Sequence, residues 1–345
     1  MINRRQFLAG MSALTLVGGR ARAGDAAAVL APLRQGYLRR IGAIKAQGVL
    51  PIIDIESSYN PYRIDVPSFV RGMDDNGIAV MALSVDMPGK AYSETNRWSD
   101  HCLDLVHDYP DHFLPVGNGG VHPAWTKSPQ QFLEDQDAAL ATGRYALMGE
   151  FEFRHYPSPR QVERGELFRD VNIPIDGPLG EHLFATAQHT GLAFQIHYEI
   201  EDVLLPPLET MLARYPGAKV IWCHFAQIRY GGRALSYGPD YLRGLLERFP
   251  NLYVDTAFGG PDGVYQLSGE RHAHYWAERD GWRRVIAAHP YRFLAALDIG
   301  GDRMDRLNSW SRNLRDFLGD LPSALAEIVA YKSAWKLLYG EDLPI

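Results

Sequence analysis

Residues 192–224 read L-A-F-Q-I-H-Y-E-I-E-D-V-L-L-P-P-L-E-T-M-L-A-R-Y-P-G-A-K-V-I-W-C-H. An apolar run, Leu192 to His197, ends in a histidine. A segment with helical spacing follows, Leu205 to Tyr215. A second apolar run, Lys219 to His224, ends in another histidine. Apolar strands separated by a helix belong to a parallel sheet covered on both faces. The same alternation extends in both directions. Strands are expected at Val49–Ile55, Ile78–Ser84, Phe113–Gly117 and Tyr145–Glu150 upstream, and at Asn251–Asp255 and Phe293–Asp298 downstream. Helical spacing recurs at Pro67–Asn76, Thr95–His107, Ser128–Thr142, Leu179–Thr190 and Pro239–Phe249. Eight strands across a span near the ~250 residues typical of the fold predict an α/β class, a (β/α)8 TIM barrel. An open doubly wound sheet would carry a Gly-rich turn after its first strand. Here Asp54 is followed by I-E-S-S-Y-N-P. The tail, Asn308–Gly340, reads as two extra helices broken at Asp320–Pro322.

The chain has 345 residues, of which 46% are hydrophobic and 22% charged. That is enough apolar material for a core, and it argues against disorder. A formal net charge of -6 argues against nucleic acid as a partner, which would need a basic patch. Cys102 and Cys223 are too few for a disulfide framework or a thiolate zinc cage. The N-terminus reads N-R-R-Q-F-L-A-G, an apolar run continues to Val17, and A-R-A occupies Ala21 to Ala23. This is the layout of a signal peptide over residues 1–23, with the adjacent arginines, Arg4 and Arg5, of the twin-arginine route. The apolar run falls short of the ~20 residues needed to span a bilayer. The expectation is one mature domain, residues 24–345, exported folded to the periplasm or beyond, without stable membrane insertion.

Catalytic residues of such barrels lie at the C-terminal ends of the strands. There the sequence places Glu56 after strand one, Glu150 and Glu152 at strand four, His197 at strand five, His224 at strand six and Asp298 at strand eight. Two imidazoles and a carboxylate form an open set for a divalent metal. A further carboxylate nearby can take a proton from water. A single histidine at a strand end is commonly a hydrogen-bonded core residue. Four metal-competent residues ending strands four, five, six and eight point to a site.

These residues carry a resemblance. V-I-W-C-H-F followed by R-F-P-N-L-Y-V-D-T, then A-A-L-D-I-G-G, then L-A-E-I-V-A-Y-K-S-A-W-K-L-L-Y-G resemble the amidohydrolase-related (amidohydrolase 2) branch of the metal-dependent hydrolase superfamily. The resemblance runs from about Leu50 to Tyr339. Two departures accompany it. The family usually has Asn-Ala where Ser333-Ala334 stands. It also ends strand one with H-x-H, where this chain has Glu56-Ser57-Ser58. The glutamate at strand four is similar to that of TatD-type deoxyribonucleases, which use it in place of a carboxylated lysine. With H-x-H replaced, some bacterial N-acetylglucosamine-6-phosphate deacetylases keep one metal on a Glu-His-His set.

The resemblance implies a hydrolase with one divalent metal, zinc first, with manganese or another ion as alternatives. The ligands would be Glu150, His197 and His224, with Asp298 as a further metal residue, and the first of the family's two metal positions would be weakened or lost. Asp298 would also accept the water proton and return it to the leaving group. Glu56 would orient water or substrate, or stand in as a ligand. The bond cleaved would be an amide, a lactone or another ester of a small molecule. Tyr59, Arg63, Arg154, Tyr198 and Arg229 are candidate substrate contacts, the arginines suiting an anionic group. Dimers are common in this branch, which carries over as an expectation of a homodimer. Two other readings stay open: a metal-dependent decarboxylase or hydratase of the same branch, and a degenerate periplasmic binding protein.

Overall fold

The computed structural model describes residues 25–85, 98–120, 122–263, 273–300 and 303–344. The expected signal peptide, and the start of the helix expected at Thr95–His107, lie outside the described residues. Among the described residues ten strands are interleaved with helices: β1 Ile52–Tyr59, β2 Ile78–Val85, β3 Phe113–Leu114, β4 Val116–Gly117, β5 Leu147–His155, β6 Val171–Asn172, β7 Ala193–Tyr198, β8 Val220–Trp222, β9 Leu252–Asp255 and β10 Phe293–Leu294. All pairings are parallel except that of β5 with β6. β2 is buried along its whole length, as expected of a strand covered on both faces.

The ring of staves can be followed hydrogen bond by hydrogen bond. β1 pairs β2, and β2 pairs β3. Pro115 has no N–H, so the third stave breaks there. β3 serves β2, while β4 serves β5. The order then runs β5, β7, β8, β9, β10. Backbone bonds join the last stave to the first. Ile55 donates to Ala295 (3.0 Å), Asp298 to Glu56 (3.1 Å) and Ser58 to Ile299 (2.7 Å). The molecule is an eight-stave α/β barrel.

Local chemistry sets the helix ends. The helices Pro178–Thr190 and Pro239–Arg248 begin on prolines, whose missing N–H costs nothing in a first turn. Gly191 closes the first in a left-handed conformation, φ 74°. The tail breaks where the sequence indicated, Leu307–Gly319 being followed by a helix that starts at Ser323. Its middle, Ile328–Lys332, widens to a π turn, and Val329 accepts the N–H of Ala295 at 3.1 Å. Helices at Asp25–Leu30 and Arg34–Ala46 were not foreseen. They are fastened to the C-terminus through Arg34–Glu341 (2.5 Å). Among the described residues no helix is long and apolar enough to cross a membrane.

Candidate metal centre

Several strand boundaries differ from expectation: β8 stops at Trp222 and β10 at Leu294, short of His224 and Asp298, while two strands run on past their expected ends. β1 continues past Ile55 to Tyr59, with register irregularities before Ser57. β5 continues five residues past Glu150 to His155, because β6 pairs its far end. Glu150 therefore sits within a strand. The approach of β5 to β7 requires Gly149, at φ 126°. A Cβ there would lie 2.6 Å from Gln195 Cβ and 2.9 Å from its backbone nitrogen.

Glu56 is placed by a buried seam. Asp54 Oδ1 accepts the N–H groups of Glu56 (3.1 Å) and Leu297 (3.0 Å), and its Oδ2 accepts the Ser57 hydroxyl (2.7 Å). Ser57 Oγ accepts the N–H of Ile299 at 3.2 Å. This clasp across the first and last staves sets Glu56 beside Asp298. His224 and Asp298, just past their strands, are the two non-glycine residues with positive φ among the described residues, 63° and 50°. Such conformations cost of order 1–3 kcal/mol and concentrate at functional sites.

The side chains converge. Glu150 Oε1 lies 3.1 Å from His197 Nδ1 and 3.3 Å from His224 Nε2. His224 Nδ1 is 2.9 Å from the Ala257 carbonyl. A carbonyl only accepts, so Nδ1 carries the hydrogen and Nε2 faces the mouth. Asp255, one stave over, accepts the backbone N–H of His224 at 2.8 Å. Among the described residues two groups have one ligand atom per residue within 4.8 Å of each other: Glu150, His197 and His224; and Glu56, His224 and Asp298. Asp298 also meets Arg303 at 3.3 Å.

The electrostatics divide along the same line. Burial opposes the charge on Glu150, but His197 and His224 outweigh it and hold the carboxyl well below its usual range. Burial would lower His224, yet Glu150, Asp298 and Asp255 push it up to about 10. His197 is raised against burial by Glu150 and Glu199. Glu56 goes the other way. Burial, then Glu150 and Asp298, push it well above the carboxylate range.

The five substrate candidates separate. Tyr198 and Arg229 line a cleft with His197 and His224. Tyr59 does not open to it: its side chain is buried and its hydroxyl donates to the His101 carbonyl at 2.9 Å. Arg154 is engaged by Asp170 (2.6 Å) and the Val171 carbonyl (2.7 Å), because the β5–β6 pair needs its donors. Arg63 is exposed in the turn after β1. The sequence reading missed Glu199 and Asp255. Glu199 could have been found as an acid two residues past His197, and Asp255 as the acid ending its own strand. Glu152, at strand four in that reading, pairs with Arg169.

The amidohydrolase family model (Amidohydro_2) matches residues 67–292. The chain belongs to the amidohydrolase family. Among solved structures, an uncharacterised TIM-barrel protein from Bordetella bronchiseptica is 16% identical, with TM-score 0.52 over 85% of this chain and 100% of that one. An amidohydrolase II structure is also 16% identical, with TM-score 0.52 over 83% and 99%. A 4-oxalomesaconate hydratase from Rhodopseudomonas palustris is 13% identical, with TM-score 0.50 over 84% and 95%. At these identities the likeness is one of fold. No curated protein sequence matches the chain.

Members of this family are metal-dependent enzymes, and the residues of this amidohydrolase fit a cation. Two imidazoles and carboxylates are borderline-metal donors. Glu150 Oε1 faces two ring nitrogens at once. Glu56 Oε2 is buried without a hydrogen-bond partner, and such an atom is costly unless something positive meets it.

Proposed function

We propose that this amidohydrolase is an exported hydrolase that cleaves an amide, lactone or other ester bond of a small molecule, using one divalent cation. The observation that carries this reading is the meeting of Glu150 Oε1, His197 Nδ1 and His224 Nε2 within 3.1 and 3.3 Å. Those three residues would hold the ion, zinc or manganese by their donor types. When bound, such an ion supplies Lewis acidity toward a carbonyl oxygen and makes water a stronger acid. His224 favours a single ion. Its Nδ1 is committed to Ala257, so Nε2 is the one nitrogen available to both candidate groups, and it can serve one ion.

Asp298 lies beside His224 in the second group and is one-third exposed. In this reading it takes the proton from the attacking water and returns it to the leaving group. Arg303 steadies its other side. Glu56, whose carboxyl burial and the neighbouring acids push up, would donate a hydrogen bond to water or substrate. Tyr198 and Arg229 border the cleft and would contact the substrate. The signal over residues 1–23 supports periplasmic delivery, and protease mapping of the exported protein should find a start near Gly24.

The test is turnover of a panel of esters, lactones, amides and aromatic acids by protein stripped with chelator and reloaded with zinc or manganese. Hydrolysis products that return with metal support the proposal. Release of carbon dioxide, or addition of water to a double bond, would assign lyase chemistry instead. No turnover of any class would favour the binding-protein reading.

A further inference from the structure

The two imidazoles of the candidate site are anchored differently, and the inference rests on the cation reading above. His224 is tied from behind by a backbone carbonyl, which no mutation of a side chain removes. His197 has a carboxylate at each ring nitrogen. Nδ1 is 3.1 Å from Glu150 Oε1, and Nε2 is 3.2 Å from Glu199 Oε1. Ionised carboxylates only accept, so the neutral ring can satisfy one of them by donation and must turn a lone pair to the other.

The surroundings of Glu199 decide which. Its side chain is buried, and its Oε1 is 3.1 Å from Arg229 and 3.4 Å from the N–H of Tyr156. Arg229 and the Tyr156 N–H both donate to this oxygen, which marks Glu199 as an acceptor and puts the hydrogen of His197 on Nε2. The N–H of Glu199 continues the β5–β7 ladder to the Arg154 carbonyl, 3.2 Å. Both ends of the residue are thereby fixed. Arg229 also donates to the Tyr156 carbonyl, so the guanidinium is held independently of Glu199. The ring of His155, anchored by Nδ1 on the Arg169 carbonyl at 2.7 Å, packs against His197 with centroids 4.6 Å apart. That leaves His197 little room to rotate.

We propose that Glu199 is the positioning residue of this site: by accepting Nε2–H of His197 it fixes the tautomer and presents the Nδ1 lone pair beside Glu150 and His224 Nε2. Outer carboxylates that orient a ligating histidine are worth roughly 10–100-fold in metal affinity.

The experiment measures zinc affinity by competition with a chromophoric chelator, together with nitrogen-15 NMR of the His197 ring. At a pH where the ring is neutral, the parent should show the Nε2–H tautomer. Glu199→Ala should weaken zinc ~10–100-fold and mix the tautomers. Glu199→Gln, whose amide oxygen can still accept, should recover much of that loss. Glu199→Met keeps the length without an acceptor and gives the same readout should the alanine variant not fold. A purely structural role would lower the melting temperature and leave zinc affinity and tautomer unchanged, which would overturn the assignment. A parent that takes up no zinc overturns the cation reading and this assignment together. A parent that binds, beside Ala and Met variants that bind equally well, overturns this assignment alone.

Discussion

Glu150 and Glu56 approach His224 from different staves, and the two carboxylates keep opposite company. Glu150 Oε1 has an imidazole nitrogen on either side, at 3.1 and 3.3 Å. Glu56 faces Glu150 and Asp298, carboxylates both, and has a buried oxygen that nothing meets. The first group balances charge with nitrogen donors. The second brings two acids to the same His224, and burial beside other carboxylates pushes Glu56 up. The number of carboxylates does not decide which group holds a cation; the partners already satisfied around each one do. On the function proposed above, one half of the mouth would bind the cation and the other would handle protons, with His224 common to both groups.

His224→Ala strikes both halves and should have the largest effect. Bound metal should be lost, and kcat/KM should fall by at least ~10³-fold, checked by elemental analysis and steady-state rates on any substrate the panel yields. Asp298→Asn should separate the halves. kcat should fall ~10²–10⁴-fold while zinc content stays at the parental value. Loss of zinc in that variant would merge the two groups into one. Glu56→Gln keeps a donor where Glu56 holds its proton, so it should cost roughly tenfold in rate, about one hydrogen bond, with zinc retained. A second equivalent of metal in the parent, abolished by Glu56→Gln, would instead make Glu56 a ligand.

The smallest expected effect is on pH. In the metal-free protein burial would lower His224, but Glu150, Asp298 and Asp255 hold it up to about 10, against ~6.5 unfolded. A raised histidine stabilises the fold fully below about pH 6.5, and that contribution fades as pH climbs toward 10. A cation must displace this proton. The rise in melting temperature on adding zinc should therefore grow from about pH 6.5 to about pH 8.5. A constant or shrinking gain would contradict a cation that displaces the His224 proton.

Strand periodicity carried the barrel, because a buried parallel stave is a run of apolar residues that ends where polar chemistry begins. His197, His224 and Asp298 were legible for that reason. Boundaries were harder to read. Nothing local announces that β5 runs on to His155; the partner that extends it, β6, comes sixteen residues later. Pro115 split the third stave, a signal present in the sequence but overridden by the apolar run around it. Arg154 looked like a substrate anchor because charge at a strand end does, while Asp170, its actual partner, is remote in sequence. Glu199 stands two residues past His197, a signal left unused, but its partners Arg229 and the Tyr156 backbone are brought to it only by the fold. The seam made by Asp54 and Ser57 is likewise a tertiary fact. The loss of H-x-H at strand one was visible at once; what Glu56 does in its place needed Asp298 across the seam.

The central claim is one cation on Glu150, His197 and His224. Elemental analysis of protein purified without chelator, beside His224→Ala, tests it most directly. About one equivalent of zinc or manganese per chain in the parent, and none in the variant, is the result the site geometry predicts. A parent that stays metal-free after incubation with either ion, or a variant that keeps its full equivalent, would contradict it.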